Sequence, residues 1–268
     1  MHAVTAPKPP RTPAVNRSVA RVFAVTEALV RARSRISATE LAAATGYPYT
    51  TIVADLKSLQ GLGYVSFDPD TKTYAPTLKI TLLAGTLSTR ARLADELRRT
   101  VDSLARTTRE TSIVWQRVGG DMQMLHVALG QESLRMVVEP GMTYPIEGSA
   151  SGRAWSIAPS VAQAAGGTLA ARARVNGRAS TEAVELQKAA RRGYATAYET
   201  HVPHVGSIAM PFEVPSEGDG EPLVVSVGGV AARIREREAE IAGMLARALE
   251  DLRRRCRRIV ETETNGGR

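Results

Sequence analysis

Ser37-Ala-Thr-Glu-Leu-Ala-Ala-Ala-Thr-Gly-Tyr-Pro-Tyr-Thr-Thr-Ile-Val-Ala-Asp-Leu-Lys-Ser-Leu-Gln-Gly61 is the stretch whose reading decides the fold. Ser37 can accept from first-turn amides while Glu40, three residues on, reaches back to the cap, so a helix starts here. That helix carries Leu41, Ala42 and Ala44 and stops at Thr45-Gly46, where glycine takes the positive φ of a tight helix exit. Pro48 cannot prolong the helix just ended but suits the first turn of another. The next helix places Ile52, Leu56 and Leu59 on one face at i, i+4, i+7. Its other face presents Tyr49, Thr50, Thr51, Val53, Ala54 and Lys57, and it ends near Gly61-Leu-Gly63.

Upstream, Val19, Val22, Phe23, Leu29 and Val30 recur at helical spacing across residues 17–30. Downstream, residues 64–67 and 72–75 read as two short strands around Asp68-Pro-Asp-Thr71. Helix, capped short helix, short turn, helix and β-wing form the order of a winged helix-turn-helix. Residues 49–61 are then the recognition helix, whose N-terminal residues approach base edges in the major groove. A small helical subdomain with an incidental hairpin competes with this reading, but it leaves the short turn and the immediate wing unexplained.

Charge is placed where such a module needs it. The net charge is +8, and residues 1–35 hold seven Lys/Arg against the single acid Glu27. Lysine and arginine release counterions on meeting phosphates, so a polyanion such as double-stranded operator DNA is the expected partner; a solvated basic tail stays open as the alternative. The predicted DNA contacts are Arg17, Ser37, Tyr49, Thr50, Thr51, Val53, Lys57 and Lys72, supported by the basic flank at Arg11 and Arg21.

The chain has 268 residues, long enough for two domains, with a globular balance of 43% hydrophobic and 23% charged residues. No apolar run approaches the roughly 20 residues of a membrane span, so no membrane partner is expected. The first ten residues carry three prolines and no apolar core, unlike a secretory signal. A lone cysteine, Cys256, cannot form an intramolecular disulfide, which fits a reducing cytoplasm.

Beyond residue 76, Leu78, Leu82 and Leu83, then Leu93, Leu97, Val101 and Leu104, give two helical stretches. Residues 112–118, 123–128 and 134–138 read as strands, 180–192 as a helix, and 207–213 and 223–227 as further strands. Ile234, Ile241, Leu245, Leu249, Leu252, Cys256 and Ile259 share one face of a final helix. Strands in hairpins with helices interspersed indicate an α+β domain.

Three groups of residues resemble one family. Arg17-Ser-Val-Ala-Arg-Val-Phe, Ala38-Thr-Glu-Leu-Ala-Ala-Ala-Thr-Gly-Tyr-Pro48 and Leu59-Gln-Gly-Leu-Gly-Tyr-Val65 are similar to the N-terminal domain of IclR-type bacterial transcriptional regulators. Pro140-Gly-Met-Thr-Tyr-Pro-Ile-Glu-Gly-Ser-Ala-Ser-Gly-Arg-Ala-Trp155 resembles that family's effector-domain loop, and Arg192-Gly-Tyr194 and Ser207-Ile-Ala-Met-Pro211 match later landmarks. The resemblance implies a winged helix-turn-helix domain (17–76) after a flexible basic tail (1–16). A linker and dimerisation helix (77–94) and a GAF-like effector domain (95–262) follow, the latter an antiparallel sheet flanked by helices. It also implies a homodimer or dimer of dimers, a small-molecule effector, no cofactor, and a repressor of a catabolic operon. The chain departs from the family where basic or histidine residues are common in the recognition helix, having Tyr49, Val53 and Ala54 there.

The resemblance places the effector pocket near Ala150, Ser151, Ala197, Val205, Ser207, Ser226 and Gly228, with Met136 from a facing strand; Met124 and Tyr144 join it. Relatives that sense small oxo-acids carry an acid and a cysteine where this chain has Ala197 and Ser207, and Gly228 stands where serine is common. A roomier, less charged pocket and a larger ligand, such as an aromatic acid, are therefore expected.

Enzyme chemistry is not evident. Gly148-Ser-Ala-Ser-Gly152 has Ala150 where a nucleophile elbow needs serine, and there is no Walker or dinucleotide-binding loop. His201, His204 and His126 lack a cysteine or well-spaced carboxylate to complete a metal site, and read as loop histidines near the pocket mouth. Two functions remain: a ligand-responsive DNA-binding regulator, and a metabolite-binding protein or enzyme whose N-terminal helices serve only for assembly.

Overall fold

In the computed structural model, which describes residues 16–32, 34–85, 88–164, 174–175, 178–215 and 220–266, helix α1 (Arg17–Arg31) starts under an Asn16 cap. The rest of the basic tail, Arg11 included, and residues 216–219 of the polar insert lie outside the described residues. Strand β1 (Ile36–Ser37) leads into α2 (Ala38–Thr45), α3 (Tyr49–Gly61), β2 (Val65–Asp68), β3 (Thr73–Pro76), α4 (Leu78–Gly85) and α5 (Ser88–Thr108). The chain divides into two compact units inside α5, one up to Ala91 and the other from Arg92 onward.

In the N-terminal unit the capping box forms as the sequence predicts. The Glu40 amide donates to Ser37 Oγ at 3.2 Å and the Ser37 amide to Glu40 Oε2 at 2.8 Å. Those bonds from Ser37 hold the Glu40 carboxyl below its ordinary range. The box is therefore complete above the ordinary carboxylate pKa and is lost as pH falls through the lowered value. Gly46 closes α2 at φ +73°, its amide bonded to Ala42 O at 2.9 Å. Helix α3 buries Ile52, Leu56 and Leu59 against Val25, Leu29 and Leu41.

Two details differ from the sequence reading. Of the residues spaced along α1, Leu29 is buried and Val22 packs on the core while Val19, Phe23 and Val30 face outward, and the core also takes Val25, which the spacing did not single out. The wing is a three-stranded sheet of order β1-β3-β2, because Ile36 and Ser37 pair with Tyr74 and Thr73.

The second unit continues with β4 (Thr111–Val118), β5 (Asp121–Ala128), β6 (Thr143–Pro145), α6 (Ala150–Ser156) and α7 (Pro159–Ala164). Then come β7 (Arg174–Val175), β8 (Arg178–Ala179), α8 (Thr181–Arg192), β9 (Ala195–Tyr198), β10 (Val205–Phe212), β11 (Leu223–Val230), α9 (Ala231–Glu236) and α10 (Glu238–Gly266). A six-stranded antiparallel sheet of order β6-β5-β4-β11-β10-β9 forms its centre. Alternation along the strands makes two cores. Val114, Ile208, Val225 and Val227 pack under α5 and α10, while Ile113, Trp115, Ala209 and Val224 pack under α6 and α8. Cys256 is buried in the first core, where burial pushes its thiol up to about 11.

Residues 134–138 are not the strand their apolar run predicts. They form an irregular strap whose carbonyls are taken by side chains: Thr111 Oγ1 donates to Met136 O at 2.6 Å and Arg233 Nη2 to Leu134 O at 3.0 Å. The same Arg233 meets Glu110, whose side chain has 0% exposure, with Nη2 2.8 Å from Oε2 and Nε on Oε1. A side-chain carbon at Gly229 would collide with that carboxylate. Among the described residues, no helix is long and apolar enough to cross a membrane.

Replacing Ser37 by alanine removes the cap and its reciprocal bond, and is expected to cost about 1 kcal/mol. The melting midpoint of the N-terminal unit then falls by about 4–8 °C, measurable by calorimetry. Glu110→Ala strands a largely buried cation and is expected to cost about 3 kcal/mol, the lower end of the range for buried pairs because Arg233 keeps 28% exposure. Denaturant titration reads this; a loss under 1 kcal/mol contradicts it.

Candidate nucleic-acid interface and ligand cavity

Helix α3 owes its position to the residues on its inner side. Asp55, 8% exposed, accepts two bonds from Arg21 of α1, Nε to Oδ2 at 2.6 Å and Nη2 to Oδ1 at 3.2 Å. Arg21 is thus engaged within the fold, which corrects its place in the basic flank. The outer side of α3 displays Tyr49, Thr50, Ala54 and Lys57 to solvent, with Thr51 and Val53 half-buried beside them. Arg17 is exposed at the start of α1, and Lys72 is exposed at the hairpin tip with φ +53°. Ser37 does not sit on this face as a free donor: its hydroxyl is engaged with Glu40 at 2.7 Å. Arg17, Lys57 and Lys72 make no ion pair among the described residues, so their charge is available to an outside partner.

The second unit holds a cavity between the α6 side of the sheet and the segment after β9. Met124, Met136, Tyr144, Ala150, Ser151, Ala197, Val205, Ser207 and Ser226 all line it, so the fold gathers the pocket residues read from sequence, Gly228 excepted. Ile113, Trp115, Ser149, Thr200, His201 and Val202 complete the wall. Trp115 and Ile113 follow from strand alternation. Thr200, His201 and Val202 lie between β9 and β10, where no periodicity marks a facing side.

Three rings run along the wall. Trp115 meets Tyr144 edge-on at 6.1 Å, and Tyr144 lies 6.0 Å from His201. Burial raises the Tyr144 phenol, which stays protonated at neutral pH. Trp115 Nε1 donates to Ser226 Oγ at 2.7 Å, leaving the Ser226 hydrogen for another acceptor. Ser151, 3% exposed, has a 3.4 Å contact with Ser149 Oγ as its one side-chain hydrogen bond among the described residues. Among the described residues, no Asp, Glu, Lys or Arg lines the cavity.

The cavity is small. Its volume is about 70 Å³. Gly228 lends no room, because the methyl of Met136 lies 2.9 Å from where a side-chain carbon at Gly228 would stand. The glycine admits Met136, and Met136 fills the gap.

The histidines do not converge. His126 Nε2 is 2.9 Å from Asp102, His201 Nε2 donates to Glu147 O at 3.1 Å, and His204 Nδ1 is 3.4 Å from Glu199. No group of metal-ligating side chains occurs among the described residues.

Comparison with known proteins gives concordant results for both units. Residues 18–69 match the family model of the IclR helix-turn-helix domain, and residues 86–254 match that of the bacterial transcriptional regulator IclR C-terminal domain. Among solved structures, IclR from Thermotoga maritima superposes with a TM-score of 0.54 at 21% identity, covering 89% of this chain and 98% of that one. A transcriptional regulator from Alicyclobacillus acidocaldarius gives 0.50 at 21% identity, covering 92% and 99%. No curated protein sequence matches at a significant level. These structural likenesses carry the fold, and the two family models, which together span most of the sequence, carry the assignment. The chain, a DNA-binding transcriptional regulator and not an enzyme, belongs to the IclR family.

Proposed function

We propose that this regulator is a repressor of a catabolic operon, that the outer side of α3 reads its operator, and that the cavity under α6 takes the effector. The observation that carries the effector reading is the convergence of three aromatic rings, two methionines and the partly unengaged hydroxyls of Ser151 and Ser226 on one cavity without acidic or basic chains among its described lining. Such a wall suits a small flat molecule bearing a hydrogen-bonding substituent, and an aromatic acid is the class we favour.

On the DNA side, Thr50, Thr51 and Tyr49 stand at the N-terminal end of α3, where a recognition helix meets base edges. Threonine methyls and Ala54 suit contact with thymine methyls, while Lys57, Arg17 and Lys72 suit phosphates. Affinity then rests mainly on phosphate contacts and is steeply salt-dependent. The exposed Val19, Phe23 and Val30 of α1 and Leu78 and Leu82 of α4 favour assembly of more than one copy, a homodimer or a dimer of dimers. The working division is a tail to residue 16, a DNA-binding domain at 17–76, a linker at 77–94 and an effector domain at 95–262.

The test is fluorescence anisotropy on labelled duplex from upstream of the protein's own gene, at low and moderate salt, with a panel of aromatic acids. Tight, salt-sensitive binding that one compound weakens is the expected result. Thr50→Glu, at an exposed position, is expected to weaken operator binding by about 10- to 100-fold while leaving ligand binding intact. Lys57→Ala is expected to lower the salt slope by about one. A Thr50→Glu protein that binds operator normally removes α3 from the interface.

A further inference from the structure

The cavity is smaller than the ligand class favoured for it. Its 70 Å³ is about half the ~150 Å³ that accepts a benzene molecule in a protein interior. Full enclosure of a ring therefore requires part of the wall to move. Trp115 is held by its bond to Ser226, and Met124 is buried at 2% exposure. Ile113 is a branched residue locked in the central sheet, and Ala150 and Ala197 have nothing to withdraw. Besides the segment of residues 200–202 between β9 and β10, Met136 is the part of the wall with room to rearrange. Its unbranched thioether has three rotatable bonds, and it sits on a strap rather than in a strand.

The strap fixes the Met136 backbone while leaving its side chain replaceable. Thr111 Oγ1 holds the Met136 carbonyl at 2.6 Å, Arg233 holds that of Leu134, and Val138 is buried at 9% exposure. The flanking Leu134 and Val137 are 69% and 65% exposed, so solvent lies beside the strap and gives the thioether a place to go. The space it would leave lies over Gly228, where any side chain would exclude it.

We infer that Met136 is a retractable plug, that it occupies a latent annex of the cavity over Gly228, and that its withdrawal admits a planar ring. Met136 is thereby the residue that sets whether the site takes an aromatic compound or only a short-chain acid. This rests on the reading of the cavity as the effector site.

The full-length chain, with fold checked by circular dichroism and thermal melting, is titrated calorimetrically with benzoate and with pyruvate. The variants are Met136→Ala, Gly228→Ala and the double substitution. Met136→Ala removes the plug and is expected to raise the benzoate-to-pyruvate affinity ratio by about tenfold. Gly228→Ala drives the Met136 methyl back into the cavity, against the flexible end of the side chain, and is expected to lower the ratio by about tenfold. In the double variant the added methyl meets no plug, so the ratio returns towards or above that of the parent chain, a non-additive outcome. Ratios unchanged by Met136→Ala, or strictly additive effects, overturn the plug. So does binding of pyruvate by every variant with benzoate by none, while leaving the effector site standing. Binding of neither probe to any folded variant overturns the effector-site reading itself.

Discussion

The Glu110 carboxylate is a full charge with no exposure, and the effector domain is arranged around keeping it satisfied. A buried ion must be paired and hydrogen-bonded or its desolvation is uncompensated. Arg233, on α9, supplies the fork, and Gly229 supplies the absence of a side chain that lets the carboxylate lie against β11. The same guanidinium reaches Leu134 O, so one cation joins the start of β4, the last helices and the strap. The neighbouring Gly228 admits Met136. Two consecutive glycines thus receive two intrusions, a carboxylate and a thioether, and both bear on how the cavity is closed.

In the DNA-binding domain, charge is likewise used inside before it is used outside. Arg21 and Asp55 lock α1 to the inner side of α3, with Ile52, Leu56 and Leu59 supplying the apolar contact. This bidentate pair orients the helix and leaves an outer face with Lys57 as its cation. Arg17 and Lys72 are likewise exposed and make no ion pair among the described residues.

Most of the DNA-binding domain was legible because its signals are local. The capping box spans four residues, the left-handed exit is a property of Gly46, and the α3 stripe repeats at i, i+4, i+7. In α1 apolar residues lie on more than one side, and periodicity does not say which side the core selects; Leu29 and Val25 are buried while Val19, Phe23 and Val30 are not. Residues 134–138 misled because an apolar run looks the same whether or not a neighbouring strand is present. Strand β9, four residues long with an alternation of small and half-buried side chains, left too weak a pattern to read. In the cavity, strand alternation predicts the facing of Trp115 and Ile113, whereas Thr200 to Val202 reach the wall through a loop.

The amino-acid sequence by itself determined the order of elements, the division into a winged-helix domain and an α+β effector domain, the family, and most of the cavity residues. The element order follows from short-range signals such as caps, turns and periodicity, whereas the family and the cavity residues follow from the resemblance that the motifs carry. Tertiary structure alone decided which charges are engaged and how much room the cavity has. Arg21 and Arg233 are chemically ordinary cations in sequence, and only packing gives them Asp55 and Glu110. The missing side chain at Gly228 reads as added space, yet close packing lets the nearest flexible side chain take it, and Met136 is brought there from about ninety residues away by a strap that no local signal foretells.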